Sequence, residues 1–470
     1  MKKYHLLIVL FLSFLGDMCN AQYKVLLNFD SLNGRSPWGD VINYGKRLYG
    51  MAAFGGANNK GTIFAIDTDG NNYKDLLDFN VANGAYPSGS LTEAGGKLYG
   101  MTDKGGTSGM GVIFSINMDG TGYKKLFNFS GPDGAYPNGS LIISGAKMYG
   151  MTVAGGLSGF GTIFRIDTDG TAPKVLLAFD AITKGYEPAG NLTLSGKKLY
   201  GMSAGGGYFN YGNVFSLDTD GTNLRNIRQF SGSDGKFPQG SLLLSGGVLY
   251  GMTEMGGGSS GLGNIFRVDT DGNHFKELID FDGITGLFPY GSLIWVNGNL
   301  HGLSKGGGMV PYGDGVMFTI DTNGSGYYMD YTFEATLNDS NNKGEQPLGT
   351  LLYANGNYYG TTNEGGTHGY GVVFSFKPTL EAINKVALSN EMVTIYPNPN
   401  NGMFTIESPI DGHWSGEVYN ELGQEVYNKN GVGKIHEQLN LENLSAGIYS
   451  LRLQTSSGIA VKKLVILGKR

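Results

Sequence analysis

The residues of this 470-residue chain best placed to do chemistry are three acids in glycine-rich loops, Asp103, Glu254 and Glu364, together with Phe209, Tyr211, Tyr312, His368 and Tyr370 in the equivalent loops elsewhere. Aromatic side chains beside carboxylates and amides suit a sugar or a peptide, the ring stacking on one face and the polar groups bonding at the edge. Two of the acids facing one cleft, about 5–10 Å apart, would instead make the carboxylate pair of a glycosidase. The competing reading is that these aromatics pack on neighbouring loops and bind nothing.

Other constellations are weaker. The phrases Asp67-Thr68-Asp69-Gly70, Asp167 to Gly170, Asp218 to Gly221 and Asp269 to Gly272 resemble the start of a calcium loop. Calcium takes six to eight oxygens with a bidentate acid. No downstream Glu recurs, and Asn117 and Asn323 replace acids in two copies. Asp-Gly is a hairpin signal first. The histidines after the leader, His274, His301, His368, His413 and His436, never fall at a metal-ligand spacing. No Gly-x-Ser-x-Gly turn marks a strained nucleophile. The expectation is no metal, no cofactor and no catalytic residue.

What must position the loop residues is a repeat. A hydrophobic-Tyr-Gly-Met-Thr phrase followed by Gly-Gly recurs at Tyr49, Tyr99, Tyr149, Tyr200, Tyr250, His301 and Tyr359, at intervals of 50, 50, 51, 50, 51 and 58 residues. A period near 50 built from short strands and glycine turns is that of a β-propeller. Each unit reads as four strands; in the second these are 90–94, 97–102, 111–117 and 123–129. Residues 23–29 match a fourth strand while the seventh unit stops after its third, which predicts that the first strand completes the last blade and leaves no exposed edge. An aromatic-Pro-x-Gly loop, at Tyr86-Pro87, Tyr136-Pro137, Phe237-Pro238 and Phe288-Pro289 with Tyr186-Glu187-Pro188 as a variant, precedes the first strand, and the residue after the glycine is polar in every unit: Asp40, Ser90, Ser140, Asn191, Ser241, Ser292 or Thr350. Such residues would suit a water-filled central channel.

Eighty glycines and only 16% charged residues fit a chain that uses several glycines per blade on turns. Lys2 and Lys3, the apolar run from Leu6 to Leu15, and Ala21 before Gln22 read as a secretory signal cut between Ala21 and Gln22. The run is too short to span a bilayer permanently, and no transmembrane segment follows. Cleavage there removes Cys19, the single cysteine, and leaves a mildly acidic chain that argues against nucleic acid as a partner.

The Tyr-Gly-Met-Thr and Gly-Gly segment followed by Val/Ile-Phe-x-Ile-Asp resembles the GloVer tandem repeat family, with a layout similar to kelch propellers. After Phe376 the period ends. Tyr396-Pro397-Asn398-Pro399, Gly402 to Ile406, Asn420 to Gln424 and Leu444 to Tyr449 then resemble, in order, the type A sorting domain of the type IX secretion system. That resemblance implies the type IX machinery as a partner, export across the outer membrane, removal of the tail, and release or surface attachment. Lys462, Lys463, Lys469 and Arg470 fit a recognition face, or equally a solvated strand edge.

The fold class expected is therefore all-β: a seven-bladed kelch-like β-propeller closed by the N-terminal strand, then a small β-sandwich. The domains expected are a signal peptide at 1–21, the propeller at 22–377, a linker at 378–390 and the sorting domain at 391–470. The function expected is an exported, non-enzymatic binding module for a glycan or protein ligand, with a polysaccharide lyase or glycosidase as the alternative.

Overall fold

The computed structural model describes residues 22–308, 313–333, 343–378, 393–409, 413–420, 425–455 and 458–467. Residues 1–21, Tyr312, nearly all of the expected linker, Lys469 and Arg470 lie outside the described residues. Among the described residues every regular element is a strand.

Each of the first six repeats folds as a four-stranded antiparallel sheet in chain order. In the second these strands are Thr92–Ala94, Lys97–Thr102, Val112–Asn117 and Lys124–Asn128. The third and fourth strands turn on the Asp-x-Asp-Gly phrase: in the first repeat Gly70 N–H donates to Asp67 O at 2.9 Å, with Gly70 at a φ of 91° that a residue without a Cβ adopts freely. Asp69 Oδ1 accepts from Asn71 N–H at 2.9 Å, so this carboxylate serves its own turn.

Six sheets are built from consecutive strands; the seventh is not. It contains Leu352–Ala354, Asn357–Thr362 and Val372–Lys377, and its fourth strand is Gln22–Asn28, antiparallel to Val372–Lys377 from Gln22 opposite Lys377 to Asn28 opposite Val372. A register shift falls between Val25 and Leu27, skipping Leu26, where the first repeat skips Leu76. The first strand thus has the irregularity of a fourth strand as well as its pairing.

Adjacent sheets are joined by a repeated aromatic contact. The Phe after each fourth strand is buried and meets the third-strand Phe of the next sheet: Phe79 with Phe114 at 5.5 Å, Phe129 with Phe164 at 5.3 Å, Phe179 with Phe215 at 5.7 Å. The series returns on itself, since Phe333 meets Phe374 of the seventh sheet at 5.3 Å and Phe29 meets Phe64 of the first at 5.4 Å. Fully burying one such side chain contributes roughly 1.5–3 kcal/mol. The glycine of Tyr-Gly-Met-Thr makes room for these rings: a Cβ on Gly100 would stand 2.5 Å from Phe114 Cζ. On the outside, a cation on one fourth strand reaches a turn carbonyl of the next sheet, as Lys74 Nζ to Asp119 O at 2.5 Å and Lys174 Nζ to Asp220 O at 2.9 Å.

Beyond the repeats, Thr394–Tyr396, Met403–Ser408 and Ile435–Asn440 form a three-stranded sheet. His413–Tyr419, Glu425–Val432, Gly447–Thr455 and Gly458–Ile466 form a four-stranded one. One core drawn from both, including Phe404, Ile406, Trp414, Val418, Leu451 and Leu464, makes the expected sandwich. Lys462 and Lys463 lie on Gly458–Ile466, an edge strand of the second sheet.

Candidate functional site

The loops before the seven first strands converge. Each enters through a residue held at positive φ just before its proline: Ser36, Tyr86, Tyr136, Glu187, Phe237, Phe288 and Gln346, at 50–58°. A left-handed non-glycine residue costs roughly 1–2 kcal/mol, more so ahead of proline. Strain repeated at one locus in all seven units marks a site the surrounding structure determines strongly.

The glycine that follows comes so close to the next loop that no side chain fits. A Cβ on Gly89 would lie 1.8 Å from Gly139 O, one on Gly190 2.3 Å from Gly240 O, and one on Gly240 2.0 Å from Gly291 O. The close approach brings each next backbone N–H onto the neighbouring polar side chain. Asp40 N–H donates to Ser90 Oγ at 2.7 Å, Ser90 N–H to Ser140 Oγ at 2.8 Å, and Ser140 N–H to Asn191 Oδ1 at 2.5 Å. Asn191 N–H donates to Ser241 Oγ at 2.7 Å, Ser241 N–H to Ser292 Oγ at 2.7 Å, and Ser292 N–H to Thr350 Oγ1 at 3.1 Å. Thr350 N–H then donates to Asp40 Oδ1, and the cycle is back at its start. The polar residues expected to line open water are thus the hydrogen-bond acceptors that join neighbouring loops, and they form the floor of a cavity at the same time. Asp40 is the single carboxylate in the cycle; burial pushes its pKa up, against the opposing pull of its bonds to Thr350 and Ser90.

The cavity has a volume of about 240 Å³. Its wall is the residue before each glycine, and here the units differ. Tyr290, Leu348 and Trp38, from the sixth, seventh and first loops, are neighbours around the cycle and form an apolar arc. Ser88, Asn138 and Gln239 stand on the other side, the last two with amides, and the small Ala189 lies between those two. A further layer holds the wall in place. Trp38 Nε1 donates to Asn363 Oδ1 at 2.9 Å, and the indole packs edge-on against Phe54 at 5.3 Å. Gln239 Nε2 donates to Glu254 Oε2 at 3.0 Å. Glu254 also bonds the Tyr290 hydroxyl, and burial with that carboxylate pushes the phenol up to about 12. Lys305 Nζ stands 5.8 Å from the Tyr290 ring centroid. The Ser88 hydroxyl is buried and makes no hydrogen bond.

Of the residues nominated from the sequence, Glu254 is tied to this cavity, as the holder of Gln239 and Tyr290. Asp103, in the second repeat, is pushed up by burial while Lys104 pulls it down, and its N–H donates to Tyr86 O. Glu364, in the seventh, is exposed and accepts from Gln346 Nε2 at 3.0 Å. The three acids therefore stand on different sheets with different partners. Tyr211 packs edge-on with Phe237 at 5.9 Å under Lys236, and Tyr370 lies 5.9 Å from the Arg35 guanidinium, so both have neighbouring-loop partners. Phe209 and His368 are exposed, Phe209 against Tyr208 at 5.1 Å. His301 is buried against Tyr358 of the next sheet at 5.2 Å, as a packing residue; Thr319 Oγ1 lies 2.7 Å from its Nδ1, and burial lowers its pKa to about 4. Sequence reasoning missed Trp38, Asn138, Gln239 and Tyr290. Their signal was the one position of the Pro-x-Gly loop that changes chemistry from copy to copy.

Residues 14–206, 183–342 and 258–403 match the Gloeobacter/Verrucomicrobia repeat. The chain belongs to that repeat family. Residues 394–467 of this repeat protein match the secretion system C-terminal sorting domain, which marks it for export to the outer-membrane surface or the extracellular space. No curated protein matches the chain. Among solved structures, a Niastella koreensis GH74 enzyme is similar over 95% of this chain and 74% of its own, at 11% identity and a TM-score of 0.48. A Bacteroides fragilis candidate 6-phosphogluconolactonase is similar over 68% and 87%, at 18% identity and a TM-score of 0.44. Likenesses this distant carry no information about ligand or reaction.

Proposed function

We propose that the seven repeat sheets, residues 22–377, are the blades of one closed β-propeller, exported after loss of residues 1–21 and addressed by the sandwich at 391–470, and that it works as a binding module for a glycan or peptide. Three series that return to their start support closure: the Phe contacts, the floor hydrogen bonds and the sheet completed by Gln22–Asn28. The observation that carries the binding reading is the cavity wall, where seven equivalent positions differ in chemistry and three of them, Trp38, Gln239 and Tyr290, are held by outer partners. Repetition serves the fold, and the departures from it are gathered around one opening. The proposed type IX partner acts through the tail.

The enzyme alternative draws on Asp103, Glu254 and Glu364, which have separate partners on separate sheets. A glycosidase needs two carboxyl groups across one cleft. Screening the purified exported chain on a glycan array and a peptide array, with a reducing-sugar release assay on every glycan bound, tests the reading. Binding without release, weakened by Trp38→Ala, is the expected result; sugar release would replace the binding reading with the enzymatic one.

A further inference from the structure

Resting on the reading of the cavity as a binding site, we propose that its ligand is a single neutral sugar ring, seated with its C–H face on the Trp38–Leu348–Tyr290 arc and its hydroxyl edge toward Asn138 and Gln239. Size is the first argument. The cavity's 240 Å³ falls below the roughly 300–1,000 Å³ of pockets for drug-sized ligands, which matches one hydroxylated ring more closely than a run of peptide.

The second argument is the division of the wall. A peptide side chain is mostly apolar or mostly polar, whereas a pyranose has an apolar face and a hydroxyl-bearing edge. The wall has the same division, because the large apolar members Tyr290, Leu348 and Trp38 occupy three consecutive loops and the amides of Asn138 and Gln239 lie among the remaining four. An aromatic ring beside a C–H face with amides at the edge is a complementary arrangement. Amide groups both donate and accept, as a hydroxyl does.

Charge supplies the third argument. No wall position is charged, so neither a phosphate nor an acidic sugar finds a cation there. The floor below offers Ser140, Ser241 and Ser292 oxygens that have each accepted one N–H and keep a hydroxyl proton to donate. Asp40 already receives Thr350 N–H and a bond from Ser90. An ammonium ligand would need a free carboxylate at that point, and burial opposes one. The wall is also held before any ligand arrives, by Asn363 on Trp38 and Glu254 on Gln239 and Tyr290, so little ordering entropy opposes binding.

Saturation-transfer NMR on the full exported chain tests this with methyl glycosides of glucose, galactose, mannose and N-acetylglucosamine, the same sugars at the end of tetrasaccharides, and a tripeptide library. At least one methyl glycoside is expected to receive saturation on its C–H face. Trp38→Ala and Asn138→Ala should each weaken it at least tenfold, while Leu157→Ala on the exposed rim leaves it unchanged, with melting curves confirming that all three variants fold. Signal only from tetrasaccharides places the ligand at a chain terminus and keeps the sugar class; equal signal from methyl glycosides means the free sugar suffices. Peptides binding in place of sugars, with the same loss in Trp38→Ala, would overturn the sugar class and leave the cavity as the binding site. Sugar binding indifferent to both wall variants would overturn the proposed seat, and silence from every probe would bring down the binding reading too.

Discussion

The floor and the wall of the cavity are two seven-membered series one glycine apart in the same loops, and they differ in what they tolerate. At the floor the chemistry barely changes: serine four times, threonine, asparagine and aspartate, each with an oxygen for the next loop's N–H. At the wall, tryptophan, serine, asparagine, alanine, glutamine, tyrosine and leucine occur once each. The floor is constrained because a buried backbone N–H must find an acceptor and because neighbouring backbones meet with no room for a Cβ. No such requirement acts on the wall, whose residues line the cavity. In this repeat the residues that join neighbouring loops are thus separate from those free to vary.

That contrast can be broken most forcefully at its glycines. Gly240→Ala puts a methyl group against the carbonyl of Gly291, which cannot yield without moving the loop, and should cost about 3 kcal/mol in urea unfolding. A change below about 0.5 kcal/mol would mean that the loops are not packed as described. Next in size, Ser140→Ala strands the Ser90 N–H and should cost about 1–2 kcal/mol. Asp40→Asn sharpens the comparison, since Asn191 shows that an amide serves at the floor. Burial raises the folded-state pKa of Asp40 above its unfolded value of about 3.9, so the folded chain holds the proton longer and the stability this group contributes is lost as pH rises. Asp40→Asn should therefore melt higher than the parent at pH 8, with the gap closing toward pH 4; a gap that widens in acid would reverse the sign of the argument. Smallest is Gln239→Ala at the wall, expected within about 0.5 kcal/mol of the parent in stability.

Much of the architecture was legible in the sequence because local chemistry and the global fold agree. The Asp-Gly turns, the Tyr-Gly-Met-Thr strand and the pairing of Gln22–Asn28 with Val372–Lys377 follow from period and phase. The floor residues were singled out correctly by position, but their bonding was not readable: the spacing says that they are polar and not that the adjacent glycines bring the next backbone into reach. Phe29, Phe79 and their equivalents at the sheet junctions escaped notice because a buried aromatic after a strand has no distinctive local pattern. The wall escaped for a different reason. Variation at one loop position looks like tolerance until geometry shows that all seven positions border one cavity, and the exposed loop aromatics such as Phe209 were the more conspicuous candidates.

Hydrogen exchange at the seam tests the central claim, that the first strand and the last repeat close the ring as firmly as any other pair of neighbours. The amides of Gln22–Asn28 and Thr350, followed by mass spectrometry on the intact chain, should exchange as slowly as those of Lys124–Asn128 and Ser140 at an interior junction. Rapid exchange confined to the seam, with the interior junctions protected, would contradict it.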